Sequence, residues 1–232
     1  DIVYDSKGNP STIPGSLKHV KAIGWYIEEF GISQISMNLT NINQTPIHVV
    51  FDEVSKKAEK RGARVTGSEI VGLIPLKPML DAGKYFLKKQ NRSIGIPEID
   101  IISIAVESLG LNQVKKFIPE KNIIEYYLDT LFDDKKKIIE LKATEFSDEV
   151  ARESPAPGGG SVSAYVGALG SSLGEMVANL SANKRGWEDR VENFSAIANK
   201  IEEIRKELLF LVDEDSNSFD RIMASFKLPN NS

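Results

Sequence analysis

The chain of 232 residues is 41% hydrophobic and 27% charged, carries a formal net charge of −4 and has no cysteine. That length admits one large domain or two ordinary ones, with a core big enough to fold without staples. The missing cysteine excludes disulfides, thiolate metal sites and a thiol nucleophile. Two histidines, His19 and His48, are little material for a metal centre, so no metal is expected. Acid–base chemistry then falls to carboxylates, lysines, hydroxyls and backbone dipoles. The pI near 5.4 argues against a nucleic-acid partner, which would need a basic face. No run reaches the roughly 20 apolar residues of a membrane span; the best candidate, 162–180, is broken by Ser171, Ser172, Glu175 and Asn179. No charged leader precedes an apolar core, and a cytoplasmic location is expected. The chain opens on Asp1 in a turn-rich stretch and stops at FKLPNNS as a helical pattern ends, which points to an excerpt of a longer polypeptide.

In chain order, residues 16–30 place Leu17, Val20, Ile23 and Ile27 at helical spacing, with Gly31 as the closing glycine. Residues 32–39 alternate as a half-buried strand. Thr45 is positioned to cap a helix that has Pro46 in its first turn, Ile47, Val50, Phe51, Val54 and Ala58 on its apolar stripe and Gly62 at its end. The segment 64–75 reads as a glycine-interrupted strand, 76–90 and 97–109 as helices. Two strands make a poor sheet, so a further one is expected from 2–4, from 123–128 or from sequence outside this chain. The charged segment 129–137, DTLFDDKKK, marks a boundary between domains at 1–128 and 138–232. Beyond it the reading is all-helical: 146–152, then 161–182, then 192–226, the last with Phe194, Ile197, Ile201, Ile204, Leu208, Leu211, Phe219, Ile222 and Phe226 on one stripe. The fold class is therefore an α+β half followed by an all-α half.

Several residue groups have chemistry to offer. Gly158, Gly159, Gly160 and Ser161 lead directly into a helix, where outward N–H groups and the positive end of the helix dipole suit a carboxylate or phosphate. The same run also reads as a flexible connector with Ser161 as cap. Gly167, Gly170 and Gly174 each cost about 1 kcal/mol in a helix interior and imply close helix packing. Asp215 lies seven and four residues after Leu208 and Leu211, and four and seven before Phe219 and Ile222. That phase predicts a carboxylate on the buried face, where desolvation would tune it for proton transfer; the alternative is an ion pair with Lys184 or Arg185. Asp213 falls on the solvated face. Lys184 and Arg185 either complement the helix dipole or hold an anionic substrate tail. His48 sits one step off its stripe, towards the surface or a strand, and Trp25 and Tyr26 suit a core or cleft wall.

The segments KAIGWYIEEFGISQISMNLTNINQTPIHVVFDEV, VTGSEIVGLIPLKPMLDAGKYFLKKQNRS and IIEYYL resemble the C-terminal subdomain of glutamate formimidoyltransferase. SDEVARESPAPGGGSVSAYVGALGSSLGEMVANLSANKRGW and LVDEDSNSFDRIMASFKLP resemble the start of formimidoyltetrahydrofolate cyclodeaminase, in the order of the bifunctional enzymes of histidine breakdown. The resemblance implies a ferredoxin-like α/β sandwich followed by part of a helical domain. It also implies transfer of a formimino group from N-formimidoyl-L-glutamate to tetrahydrofolate, a co-substrate, and then cyclodeamination. The family's transferase histidine matches neither His19 nor His48. Its cyclodeaminase aspartate, in the motif matching DEDSNSF, falls on Asp215 as the catalytic residue, with Gly158, Gly159, Gly160, Ser161, Lys184 and Arg185 as candidates for holding folate. A homo-oligomer is expected. The competing reading is a non-catalytic folate-binding or oligomerisation module.

Overall fold

The computed structural model describes residues 2–12, 14–29, 31–132 and 137–226. Strand β1 (Ile2–Tyr4) pairs antiparallel with β2 (Pro10–Thr12), and β3 (Val20–Ile27) with β4 (Ile32–Leu39). Among the described residues eight α-helices follow: α1 (Ile47–Glu59), α2 (Leu76–Lys89), α3 (Glu98–Ser108), α4 (Pro119–Asn122), α5 (Ile124–Phe132), α6 (Ala143–Val150), α7 (Gly159–Ala182) and α8 (Val191–Ser225). An α+β half thus precedes a helical half. Its strands form two separate hairpins, and among the described residues no helix is long and apolar enough to cross a membrane.

The helix expected over 16–30 is strand β3. The sequence VKAIGWYI is β-branched and aromatic around Gly24, which favours a pleated partner over a helix. The partner arrives through a tight turn in which Gly31 adopts φ +63° and donates its N–H to Glu28 O at 3.2 Å. Trp25 and Tyr26 are exposed on this hairpin and do not enter a core. Thr45 caps no helix; its hydroxyl donates to Lys18 O at 2.6 Å, and α1 starts behind Pro46.

The strand expected over 64–75 reduces to one parallel bridge, Ile74 to Ile123. Upstream of it the backbone is committed elsewhere: Ser68 donates its N–H to Gly110 O and its hydroxyl to Leu109 O, and Gly67 abuts Gln113 so closely that a Cβ would lie 2.5 Å from that side chain. Past Ile123 the chain turns into α5, so 123–128 adds no strand, and α5 carries helix into the charged segment as far as Phe132. Residues 133–136 of that segment lie outside the described residues. The core of this half is helical, with Met79, Ala82 and Phe86 of α2 against Ile102, Ala105 and Val106 of α3. Gly83 permits that contact, because a Cβ there would sit 2.1 Å from Ile101 O.

In the second half α7 and α8 pair along a seam of small and polar residues. Ser161, Ala164, Ala168, Glu175, Ala178 and Ala182 are buried on α7; Val191, Ser195, Ala198, Glu202, Val212 and Ser216 are buried on α8. Both sets follow a seven-residue repeat, the pattern of helices packed side by side. The stripe expected on α8 is displaced from this seam by one residue, about 100° around the helix. Ile197, Ile204, Leu211, Ile222 and Phe226 are accordingly exposed. Gly167 and Gly174 receive Leu208 and Ile201 from α8, whereas Gly170 faces open space. The buried positions of the seam are mostly alanines and serines.

A charged triad is embedded in the seam. Glu175 and Glu202 are 5% and 6% exposed, and Arg205 Nε donates to Glu175 Oε2 at 3.1 Å and to Glu202 Oε2 at 2.7 Å. Burial first, then the charge of Glu202 and its hydrogen bond, push the Glu175 carboxyl above its ordinary value, against the pull of Arg205. The unfolded chain therefore releases this proton at lower pH than the folded one. The stabilisation is complete in acid and is lost as pH rises through the folded-state value. Glu175→Gln keeps the shape without the charge and should raise the urea midpoint at pH 7.5, a gain that vanishes below about pH 4.3. In the first half, Gly83→Ala should cost about 1–3 kcal/mol through overpacking, because the added methyl meets backbone rather than a mobile side chain; a thermal melt reads it.

Candidate functional site

The glycine run and Asp215 meet. Gly158 is the extended residue that starts α7, followed by Gly159 and Gly160 in its first turn. A Cβ on Gly160 would lie 2.3 to 2.7 Å from the three carboxyl atoms of Asp215, so the acid rests directly against this turn. The Ser161 N–H donates to Asp215 Oδ2 at 2.9 Å, and the Ser161 hydroxyl lies 3.2 Å from the same oxygen. The helix terminus that sequence offered to a ligand is filled by the protein's own carboxylate, which the dipole and free N–H groups there favour.

Asp215 does not sit on the buried face. It is exposed, one residue before the seam position Ser216. Its reach to α7 comes from the close helix pairing. With Gly160, Ala164, Leu211, Glu214 and Ser218 it lines a cavity of about 310 Å³. Asp215 Oδ1 has no hydrogen-bond partner among the described residues, while Oδ2 is held. Glu214 is engaged by Arg221.

Ser161 is fully buried. Its hydroxyl contacts Val212 O at 2.8 Å and Ser216 Oγ at 3.1 Å, so it faces protein rather than ligand. Lys184 and Arg185 are exposed beyond the far end of α7, whose 24 residues span about 36 Å. Within one chain they neither pair with Asp215 nor share its cavity. The Lys184 ammonium lies 4.1 Å from the centroid of the Trp187 ring, which Arg190 also covers at 4.8 Å, a cation–π arrangement. Asp213 is not solvated as expected; it accepts the Ile138 N–H at 2.6 Å and ties the chain after the charged segment to α8.

A second polar cluster, not foreseen in the sequence, lies on α1 and α2. Tyr85 OH donates to Asp52 Oδ2 at 2.5 Å and Lys89 Nζ to the same oxygen at 2.7 Å. His48 is buried rather than at the surface, stacked on Tyr85 with 4.4 Å between centroids. Burial pushes the Asp52 carboxyl up, but the bonds from Lys89 and Tyr85 outweigh it and hold it below its usual value. Burial holds His48 low against the charges of Asp81 and Asp52. The adjoining cavity, about 490 Å³, is larger than that at Asp215. Its acid is nonetheless already neutralised by two donors, which leaves it little capacity as a base. The i, i+4 spacing of Tyr85 and Lys89 was the available signal, but nothing local names Asp52 as their partner. Among the described residues no group of three or more His, Cys, Asp or Glu could hold a metal ion.

Fold and site together define an α+β unit joined to a helical hairpin that presents one half-anchored carboxylate to a small cavity. Residues 3–129 match the profile described as "Formiminotransferase domain", and residues 142–232 that described as "Formiminotransferase-cyclodeaminase"; the chain belongs to the formiminotransferase family. It is 39% identical over 223 residues to the formimidoyltransferase-cyclodeaminase of Gallus gallus, covering 96% of this chain and 41% of the relative. The glutamate formimidoyltransferase of Streptococcus pyogenes is 35% identical over 77 residues, 33% of this chain and 26% of that protein. The methenyltetrahydrofolate cyclohydrolase of Methylorubrum extorquens is 34% identical over 86 residues, 37% and 41% of the two chains. The chain spans about two fifths of the length of the bifunctional relative from Gallus gallus.

The bond from Asp215 to the start of α7 acts as a helix cap supplied from another helix. Asp215→Ala should lower stability by about 1 kcal/mol, the usual cost of losing a cap, measured as a shift of the urea midpoint.

Proposed function

We propose that the chain is part of a folate-dependent one-carbon enzyme of histidine breakdown. Its parent moves a formimino group from N-formimidoyl-L-glutamate to N5 of tetrahydrofolate, then closes 5-formimidoyltetrahydrofolate to 5,10-methenyltetrahydrofolate with release of ammonia. The family match and the names of the relatives support this reading. Residues 1–128 are proposed as the C-terminal transferase subdomain, 129–137 as a linker and 138–232 as the start of the cyclodeaminase, a division in keeping with the family matches at 3–129 and 142–232. No transferase catalyst is assigned to this chain.

The observation that carries the cyclodeaminase assignment is Asp215, a residue lining a cavity, with Oδ2 anchored and Oδ1 without a hydrogen-bond partner among the described residues. As N10 attacks the carbon of the protonated formimino group, a C–N10 bond forms and the N10 proton passes to Asp215. The carboxyl then gives that proton to the formimino nitrogen. The C–N bond breaks, ammonia leaves with the electron pair, and the positive charge stays on the methenyl bridge while Asp215 returns to its starting form. One carboxylate serves as base and then acid. Gly158, Gly159 and Gly160 are proposed to flank the bound folate; Lys184 and Arg185 are too distant to join them in the same chain.

Assembly into a homo-oligomer is part of the proposal, supported by the exposed side chains Val166, Leu169, Leu173, Met176, Val177 and Leu180 on α7. A cytoplasmic setting fits the cysteine-free chain, which has no use for an oxidising compartment. In the full-length protein, Asp215→Asn should reduce cyclodeamination by at least about 100-fold, the scale of a lost general acid–base group, and leave formimino transfer intact. Ring closure is followed by the absorbance of the methenyl product, and unchanged turnover would remove Asp215 from the chemistry.

A further inference from the structure

We infer that Gly160 is a positioning residue: its missing side chain seats the Asp215 carboxylate against the first turn of α7, so that Oδ2 is pinned by the Ser161 N–H while Oδ1 rests over Gly160 without a hydrogen-bond partner among the described residues. This rests on the reading of Asp215 as the proton carrier and adds what aims it.

Three observations carry the inference. At Gly160 an added Cβ would lie 2.3 Å from Asp215 Oδ1, 2.5 Å from Cγ and 2.7 Å from Oδ2, all inside contact distance, so any side chain there displaces the acid. The backbone itself does not call for glycine, since Gly160 is not among the residues with positive φ and lies in a helical turn. Gly159, its neighbour, has nothing within 4 Å of where its Cβ would be. Space for the carboxylate is therefore the requirement specific to position 160.

The two oxygens of Asp215 are treated differently. Oδ2 receives the Ser161 N–H at 2.9 Å, a donor with no competing acceptor. The Ser161 hydroxyl has a single proton and three oxygens within reach, Val212 O at 2.8 Å, Ser216 Oγ at 3.1 Å and Asp215 Oδ2 at 3.2 Å, so its hold on the acid is the weaker one. Oδ1 is without a partner among the described residues and belongs to a residue lining the cavity. A carboxylate free to rotate would exchange its two oxygens; this one keeps Oδ2 on the Ser161 N–H and leaves Oδ1 unbonded beside Gly160. Productive geometry matters because a displacement of about 1 Å can cost roughly 100-fold in rate.

Positioning and folding make opposite demands at this residue, which makes the inference testable. Alanine is a better helix former than glycine by about 1 kcal/mol, and the group it would strike is the mobile end of a side chain rather than backbone. Gly160→Ala is thus expected to keep or raise the melting temperature of the full-length protein. It should lower kcat for cyclodeamination about 100-fold, with KM for 5-formimidoyltetrahydrofolate changed less than about twofold. Gly159→Ala, facing open space, supplies the comparison for a glycine change in the same turn, and Ser161→Ala should lose less activity than Gly160→Ala, with recovery in Ser161→Thr. Asp215→Asn is assayed alongside. If Asp215→Asn is inactive while Gly160→Ala turns over at the wild-type rate, the positioning role is overturned and the catalytic reading stands. If Asp215→Asn is fully active, the catalytic reading itself fails. Activity losses in Gly160→Ala that merely follow a loss of folded protein would also overturn the positioning role.

Discussion

The close pairing of α7 and α8 is the constraint on which the second half depends. The separation of packed helix axes, about 8–10 Å, depends on the side chains at the contact; here the seam is built mainly of alanine and serine with two valines, and glutamates at its middle. This pairing lets a short aspartate on α8 touch the first turn of α7, and it also buries Glu175, Glu202 and Arg205 between the helices. The larger apolar side chains are left at the edges of the seam, many of them exposed. What holds the pair together is therefore complementarity of small shapes plus one charged triad, rather than a thick layer of leucine.

Three acidic sites in one chain show how environment decides the use of the same functional group. Glu175 and Glu202 share one arginine between the two helices, so both carboxylates are committed to the packing of the seam. Asp52 accepts from a tyrosine and a lysine, so its charge is already compensated. Asp215 gives one oxygen to the start of α7, and its other oxygen has no hydrogen-bond partner among the described residues. Cavity size alone would have favoured the site beside Asp52; the state of the carboxylate oxygens favours Asp215.

The two halves are also joined at a defined place. The stretch between α2 and α3 docks on the α7–α8 pair: Asn179 Nδ2 donates to Gly95 O at 2.6 Å, and Ser195 Oγ accepts the Ile94 N–H at 2.9 Å. Gly95 packs so tightly on α8 that a Cβ there would lie 2.2 Å from Asn199 N. Lys206 of α8 reaches Glu98 at the start of α3, and Glu98 also accepts from Tyr126 of α5. The helical hairpin thus bears directly on the α+β half.

Sequence by itself determined the α+β then helical order, most of the helices, the strand over 32–39 and the meeting of a glycine run with a helix start, because glycine, proline and helical periodicity act locally. Local preference misled where a partner strand was decisive, as in VKAIGWYI, which pairs with ISQISMNL instead of coiling, and in 64–75, whose backbone bonds go to the chain around Gly110. The phase of apolar residues on α8 selected Asp215 but assigned it to the wrong environment, since the true seam follows small residues that a hydrophobic stripe does not reveal. Only the tertiary structure decided that Asp215 is exposed, that α7 rather than Lys184 or Arg185 holds it, and that Glu175, Glu202 and Arg205 form one cluster. Those outcomes depend on how closely two helices approach, and that distance is set by both surfaces at once.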